Sequence, residues 1–276
     1  MATQSDERTY DTYLYLKKEF DQNKENTLTL NYDHLAKSLN IADMTPEDYR
    51  RQINKVLDKL KDKYDLIQFE KPDRNQNTQI KLTQNPSKDT QIVNIPSNYW
   101  RYNWNNTLSF PAKVMYLINL SYTQSSKERK FSVSRQEISK TYDISESFIS
   151  DGNQTLRKQN ILDIQYSDLE DKNYEERQPS TYTLKDLYDP KELAKDLKTL
   201  EQKHGKEKLE RAIHIASLVF QENNLQTVKT LIDLENQYGQ AVVEEAAKKI
   251  SDKNPDNPKR SAGYLINTIK SMGRTE

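Results

Sequence analysis

Arg50, Arg51, Asn54 and Lys55 crowd into the segment TPEDYRRQINKVLDKLKDK, residues 45–63. All four avoid the apolar stripe of Ile53, Val56 and Leu60, so a helix here presents them together on its other side. Guanidinium, carboxamide and ammonium groups hold phosphate oxygens and base edges. Across 49–63 the cations Arg50, Arg51, Lys55, Lys59, Lys61 and Lys63 face only Asp58 and Asp62. That pattern suits the major groove of DNA. Lys71 and Arg74 follow in the polar tip KPDRNQN, where they are expected to touch phosphate or minor groove.

A second set lies in SRQEISKTYDISESFISDGNQTLRKQNILDIQYSD, residues 134–168. Ser145, Ser147, Ser150, Gln154, Arg157 and Lys158 fall on the outward positions of a helix that Ser145 can cap. Ser and Gln read base edges. Glu146 and Asp151 on the same surface meet a phosphate field badly unless they accept from cytosine amines. This helix therefore has two readings, DNA contact and protein contact.

The elements that must hold these side chains are legible in the spacing. Ser134 can cap a short helix whose inward residues are Ile138 and Tyr142. Asp143 sits in the turn, Ile144 plugs the angle between helices, and the small Ser139 falls where they cross. Ile149, Gly152 and Leu156 then recur on one face of the second helix. Strand ILDIQY (161–166), a polar stretch and strand TYTL (181–184) follow, and LSFPAKVMYLINLSYT precedes. Helix, helix pair and hairpin predict a winged helix.

The same grammar occurs earlier. TYDTYLYLKKEF is a first helix, and Leu35, Ala36, Leu39 and Ile41 match Ile138, Ser139, Tyr142 and Ile144 at a constant offset of 103. Ile53, Val56 and Leu60 match Ile149, Gly152 and Leu156 at an offset of 96, which puts seven extra residues in the first turn. Strands LIQFE and TQIKL flank the tip that holds Lys71 and Arg74. Between the copies, Tyr99, Trp100, Tyr102 and Trp104 are expected to pack the base of the second domain rather than stack on bases.

From Asp189 the pattern becomes helical, and its two halves align at an offset of 34: LEQKHGKEKLERA (200–212) on LENQYGQAVVEEA (234–246). Gly205 and Gly239 coincide where one helix ends and the next begins. A final amphipathic helix carries Tyr264, Leu265 and Ile269, which either close this bundle or form a partner-binding surface. The fold class expected is mainly α with small β-hairpin wings: tandem winged helix-turn-helix domains (1–90 and 91–189) followed by a helical C-terminal domain (190–276).

Composition narrows the function classes. The 42 basic and 42 acidic residues cancel, and the three segments carry about −1, −1 and +2, so local patches rather than bulk charge must attract a polyanion. There is no Cys, which excludes thiol chemistry and Cys-ligated metal. The five glycines form no phosphate-cradling loop, and His34, His204 and His214 are scattered. No catalytic residue, metal or cofactor is expected. No apolar run reaches membrane-span length and MATQSDERTY lacks a signal-peptide core, which predicts a cytoplasmic protein with no membrane partner.

A resemblance can be stated on these residues. The segments IPSNYW, LSFPAKVMYLINL, FSVSRQEISKTYDIS and RQPSTYTL resemble winged-helix domains of plasmid and mobile-element replication proteins. YG…VVEEAAKKI…NPKRSAGYLINTIK resembles the helical domains of DnaD-like replication proteins, whose tails bind DNA or contact the replicative helicase machinery. The resemblance implies double-stranded DNA as partner, with replication proteins such as a helicase beside it, and a location at the bacterial nucleoid or a plasmid. It implies an initiator or helicase-loader role. A transcriptional regulator of a mobile element, a protein-binding adaptor and a homo-oligomer remain open alternatives.

Overall fold

The structure, a computed structural model, describes residues 6–23, 27–70, 78–83, 92–124, 126, 128–165, 179–220, 225–253 and 260–272. The chain forms two compact units, one of residues 1–94 and 103–110, the other of 95–102 and 111–276. The protein is mainly helical, with two small antiparallel sheets of three strands. Among the described residues no helix is long and apolar enough to cross a membrane.

The first unit runs α1 (Glu7–Asn23), β1 (Leu28–Thr29), α2 (Tyr32–Ser38), α3 (Pro46–Asp58), β2 (Ile67–Phe69) and β3 (Gln79–Leu82). Asn31 caps α2 by accepting from the His34 amide at 3.0 Å. Thr45 caps α3 by accepting from the Asp48 amide at 3.3 Å, with Pro46 in the first turn where a missing N–H costs nothing. One apolar cluster joins these elements; Leu16, Leu35, Ile53, Leu57, Leu60, Ile67 and Ile80 all lie inside it. Asp6 ties the start of α1 to the end of the α3 region. Its carboxylate accepts from Lys59 Nζ at 2.9 Å, the Tyr64 hydroxyl at 3.0 Å and the Thr9 hydroxyl at 3.1 Å. The Lys59 ammonium is the main reason its pKa falls to about 2.

The second unit contains α4 (Asn98–Arg101), most of α6 (Phe110–Thr123), β4 (Lys130–Ser132), α7 (Arg135–Tyr142), α8 (Glu146–Lys158), β5 (Leu162–Gln165) and β6 (Thr181–Leu184). Its sheet order, β4-β6-β5, repeats the β1-β3-β2 of the first unit. The correspondence reaches single hydrogen bonds. The Ile41 amide donates to Ala36 O, and the Ile144 amide to Ser139 O. Asn40 and Asp143, 103 apart like those pairs, both hold left-handed backbone, φ 54° and 51°. Asn and Asp tolerate that conformation better than most side chains.

One residue breaks the match. Leu60 and Leu156 are 96 apart, but Ile67 and Leu162, which pair with Leu82 and Leu184, are 95 apart. The extra residue is absorbed where α3 widens into a π turn over Lys59–Lys63, with the Tyr64 amide reaching back five residues to Lys59 O at 3.1 Å.

Predicted and observed elements differ at the small scale. β1 and β4 were not expected; two or three residues give too little alternation to read. Tyr142, expected inward, is 37% exposed, its hydroxyl 3.2 Å from that of Ser121. Tyr99 does stack on Tyr116 inside the second unit, whereas Trp104 in α5 (Trp104–Thr107) belongs to the first unit.

Beyond β6 come α9 (Pro190–His204), α10 (Lys206–Val219), α11 (Leu225–Tyr238), α12 (Gln240–Ser251) and α13 (Ala262–Met272). Gly205 and Gly239 each end one helix and begin the next at φ 87° and 83°, a backbone region closed to other residues. The bonds around them match at the 34-residue offset: Gly205 N–H to Glu201 O at 2.8 Å, Gly239 N–H to Glu235 O at 3.0 Å. Arg211 of α10 and Glu235 of α11 are 2.6 Å apart, the Glu235 side chain only 8% exposed.

Candidate nucleic-acid interface

The strongest candidate surface is the outer side of α3. Ile53, Val56 and Leu57 turn inward, which leaves Arg50, Arg51 and Lys55 exposed and Asn54 half-buried. The structure thus brings together the four residues selected on spacing. Their environments differ. Arg51 pairs with Asp48 of its own helix at 2.9 Å. Lys55 has no ion pair among the described residues. Arg50 lies 5.7 Å over the ring of Tyr32 and 3.9 Å from Asp33, both on α2. Asn54 Oδ1 accepts from the Tyr32 hydroxyl at 2.7 Å.

Asp33 is therefore engaged from two sides. It also accepts from the Tyr49 hydroxyl at 2.5 Å, and this bond to a carboxylate raises the Tyr49 phenol above its ordinary pKa. Tyr32 and Asp33 are not among the residues that spacing selects, because the outward pattern of α3 does not reveal its partners on α2.

The other cations of 49–63 serve elsewhere. Lys59 and Lys63 reach Asp6 at 2.9 and 3.6 Å, and Lys61 donates to Phe69 O at 3.3 Å while lying over its ring. The seeming basic run thus divides into an outward group at 50–55 and a bracing group at 59–63. Lys71 and Arg74 lie outside the described residues.

On α8, Ser145, Ser147, Ser150, Gln154 and Lys158 are exposed as expected. Ser145 caps the helix, accepting from the Phe148 amide at 3.2 Å, and its hydroxyl is 3.0 Å from that of Ser147. Arg157 is a correction. It is only 8% exposed, and its guanidinium donates to Phe220 O at the end of α10 at 3.5 Å. Burying the cation leaves Lys158 to face Glu146 and Asp151 on the outside of the helix.

A second correction falls on the last helix. Leu265 and Ile269 are 0% and 1% exposed within the apolar cluster of α9 to α13, so they close the bundle and offer no surface. Tyr264 is half-buried against that cluster, with Lys253 Nζ 5.8 Å from its ring. Among the described residues, no three His, Asp or Glu side chains gather as a metal site.

No protein-family model matches the sequence, and no curated protein matches it either.

Proposed function

We propose that this chain binds double-stranded DNA through α3 and serves replication of a plasmid or related mobile element, as an initiator or helicase loader. In this reading each α-β-α-α-β-β set is a winged helix-turn-helix. The pairs α2–α3 and α7–α8 are its helix-turn-helix elements, and the hairpins β2–β3 and β5–β6 its wings. The observation that carries the reading is the repetition of the set with one sheet order, combined with Arg50, Arg51 and Lys55 on the outward side of α3. The replication role is supported by the resemblance of 95–184 and 238–270 to segments of plasmid and DnaD-like replication proteins. The reading includes no catalysis. The helices α9–α13 contact a replication protein through polar faces, since Leu265 and Ile269 are interior.

The two helix pairs divide the work. With Arg157 withdrawn and Glu146 and Asp151 exposed, α8 suits a protein partner better than a phosphate backbone.

Replacing Arg50, Arg51 and Lys55 by Ala in the full chain tests the proposal. Duplex affinity is expected to fall, and the slope of log K against log salt to shrink by about 0.9 for each phosphate left without its cation. Unchanged affinity and slope would remove α3 from the interface.

A further inference from the structure

Tyr32, the first residue of α2, meets both Arg50 and Asn54. Its hydroxyl donates to Asn54 Oδ1 at 2.7 Å, and the Thr78 hydroxyl stands 2.9 Å from it. A phenol has one proton. With that proton on Asn54, the Thr78 hydroxyl donates to the phenol oxygen. Two bonds then run in one direction, Thr78 to Tyr32 to Asn54, and such chains strengthen their links. Thr78 is fully buried, which roots the chain in the first unit at the start of β3. The Arg50 guanidinium lies 5.7 Å over the same ring and 3.9 Å from Asp33.

This arrangement bears on what α3 can read. A carboxamide reads adenine with both groups, accepting from N6 and donating to N7. Here the phenol takes one of the two lone pairs of Oδ1 and holds that oxygen towards α2, which leaves the Nδ2 donors as the groups free to act outward. Donors alone fit guanine, which presents only acceptors, O6 and N7, in the major groove. Arg50 is also a donor fork, and stacking on Tyr32 limits its freedom before binding.

Resting on the reading of α3 as a duplex-contacting helix, we propose that Tyr32 is a specificity-determining positioning residue. It fixes Asn54 as a donor and Arg50 as a fork, so the duplex site favours guanine over adenine where these two residues read.

Selection of full-length protein on a randomised duplex pool tests this. The unaltered chain is expected to enrich guanine at two positions, one of which loses its preference in Asn54→Ala. Tyr32→Phe keeps the ring but frees Oδ1. At the Asn54 position it should lower the guanine-to-adenine ratio by roughly tenfold, the scale of one good base contact. The Arg50 position and the salt slope should not move. Thr78→Val is expected to shift the same ratio in the same direction by less, and decides the matter if Tyr32→Phe loses its cooperative melt.

Adenine enriched at the Asn54 position by the unaltered chain would overturn the proposal. So would a Tyr32→Phe profile identical to it. A chain that binds no duplex overturns the reading of α3 and this proposal together, and one that binds duplex but enriches no sequence overturns this proposal alone. One that enriches sequence regardless of residue 32 overturns this proposal alone.

Discussion

Gly152 of α8 lies against the backbone of Pro111 in α6 so closely that a Cβ on it would stand 2.5 Å from the Pro111 carbonyl oxygen and 2.6 Å from Met115 Cγ. The carbonyl belongs to helix backbone and cannot swing aside. The cognate position in the first unit, Val56, accommodates a β-branched side chain in its interior. Gly152→Ala is expected to force α6 and α8 apart and cost about 1–3 kcal/mol, measured by denaturant unfolding.

Leu265→Ala and Ile269→Ala should each destabilise by about 2–5 kcal/mol, because both side chains are fully interior. Circular dichroism during urea titration checks this. A midpoint that stays put would return these residues to the surface.

Arg157→Ala separates packing from DNA contact. It removes a buried charge-assisted hydrogen bond, so stability is expected to fall by about 1–3 kcal/mol. Duplex affinity, read by fluorescence anisotropy, should stay within about twofold, unlike that of the Arg50 variants.

Asp6 gives a pH dependence with a definite sign. Its folded pKa, about 2, lies below the ordinary carboxylate value, so the folded state holds the ionised form more strongly. The contribution is complete above about pH 4 and is lost as pH falls towards 2. After allowance for solvent screening it amounts to roughly 1–2 kcal/mol. Acid unfolding of Asp6→Asn should begin from a lower stability and show a flatter slope between pH 4 and 2.

Gly205→Ala and Gly239→Ala meet no steric neighbour, yet each forces a side chain onto positive φ. Costs of about 1–3 kcal/mol each are expected, similar for the two sites because their backbones match. Thermal melts of the single variants check the equality.

What could be read from sequence follows from periodicity. The stripes Ile53–Val56–Leu60 and Ile149–Gly152–Leu156 are long enough to fix which side of α3 and α8 faces the core, and hence that Arg50 and Ser150 face out. The glycine pair marked both joints of the C-terminal duplication. Arg157 was misplaced because one buried arginine beside a lysine looks in sequence like the edge of a wet face. Its guanidinium meets a carbonyl 63 residues away, which no local pattern shows. Leu265 and Ile269 form a stripe that fits a bundle or a partner equally well; only the packing of α13 on α11 and α12 decides. Tyr32 was invisible for a third reason. Its importance lies in a hydrogen bond to a residue 22 positions on, and no local pattern encodes such a bond.

The widened turn at Lys59–Lys63 gives the first unit slack in its chain length. A residue inserted in an ordinary helix rotates everything after it by about 100°, and one inserted in a strand turns its inner side out. Here the surplus is taken up as a bulge between a helix and a strand that both keep their facing, as Leu60 and Ile67 are each fully buried. The site is therefore one where single-residue deletions are tolerable: loss of one residue would restore a plain α turn like that of the second unit. Natural variation in length is expected to collect at this turn, while Arg50 to Lys55 upstream and Ile67 to Phe69 downstream keep their spacing.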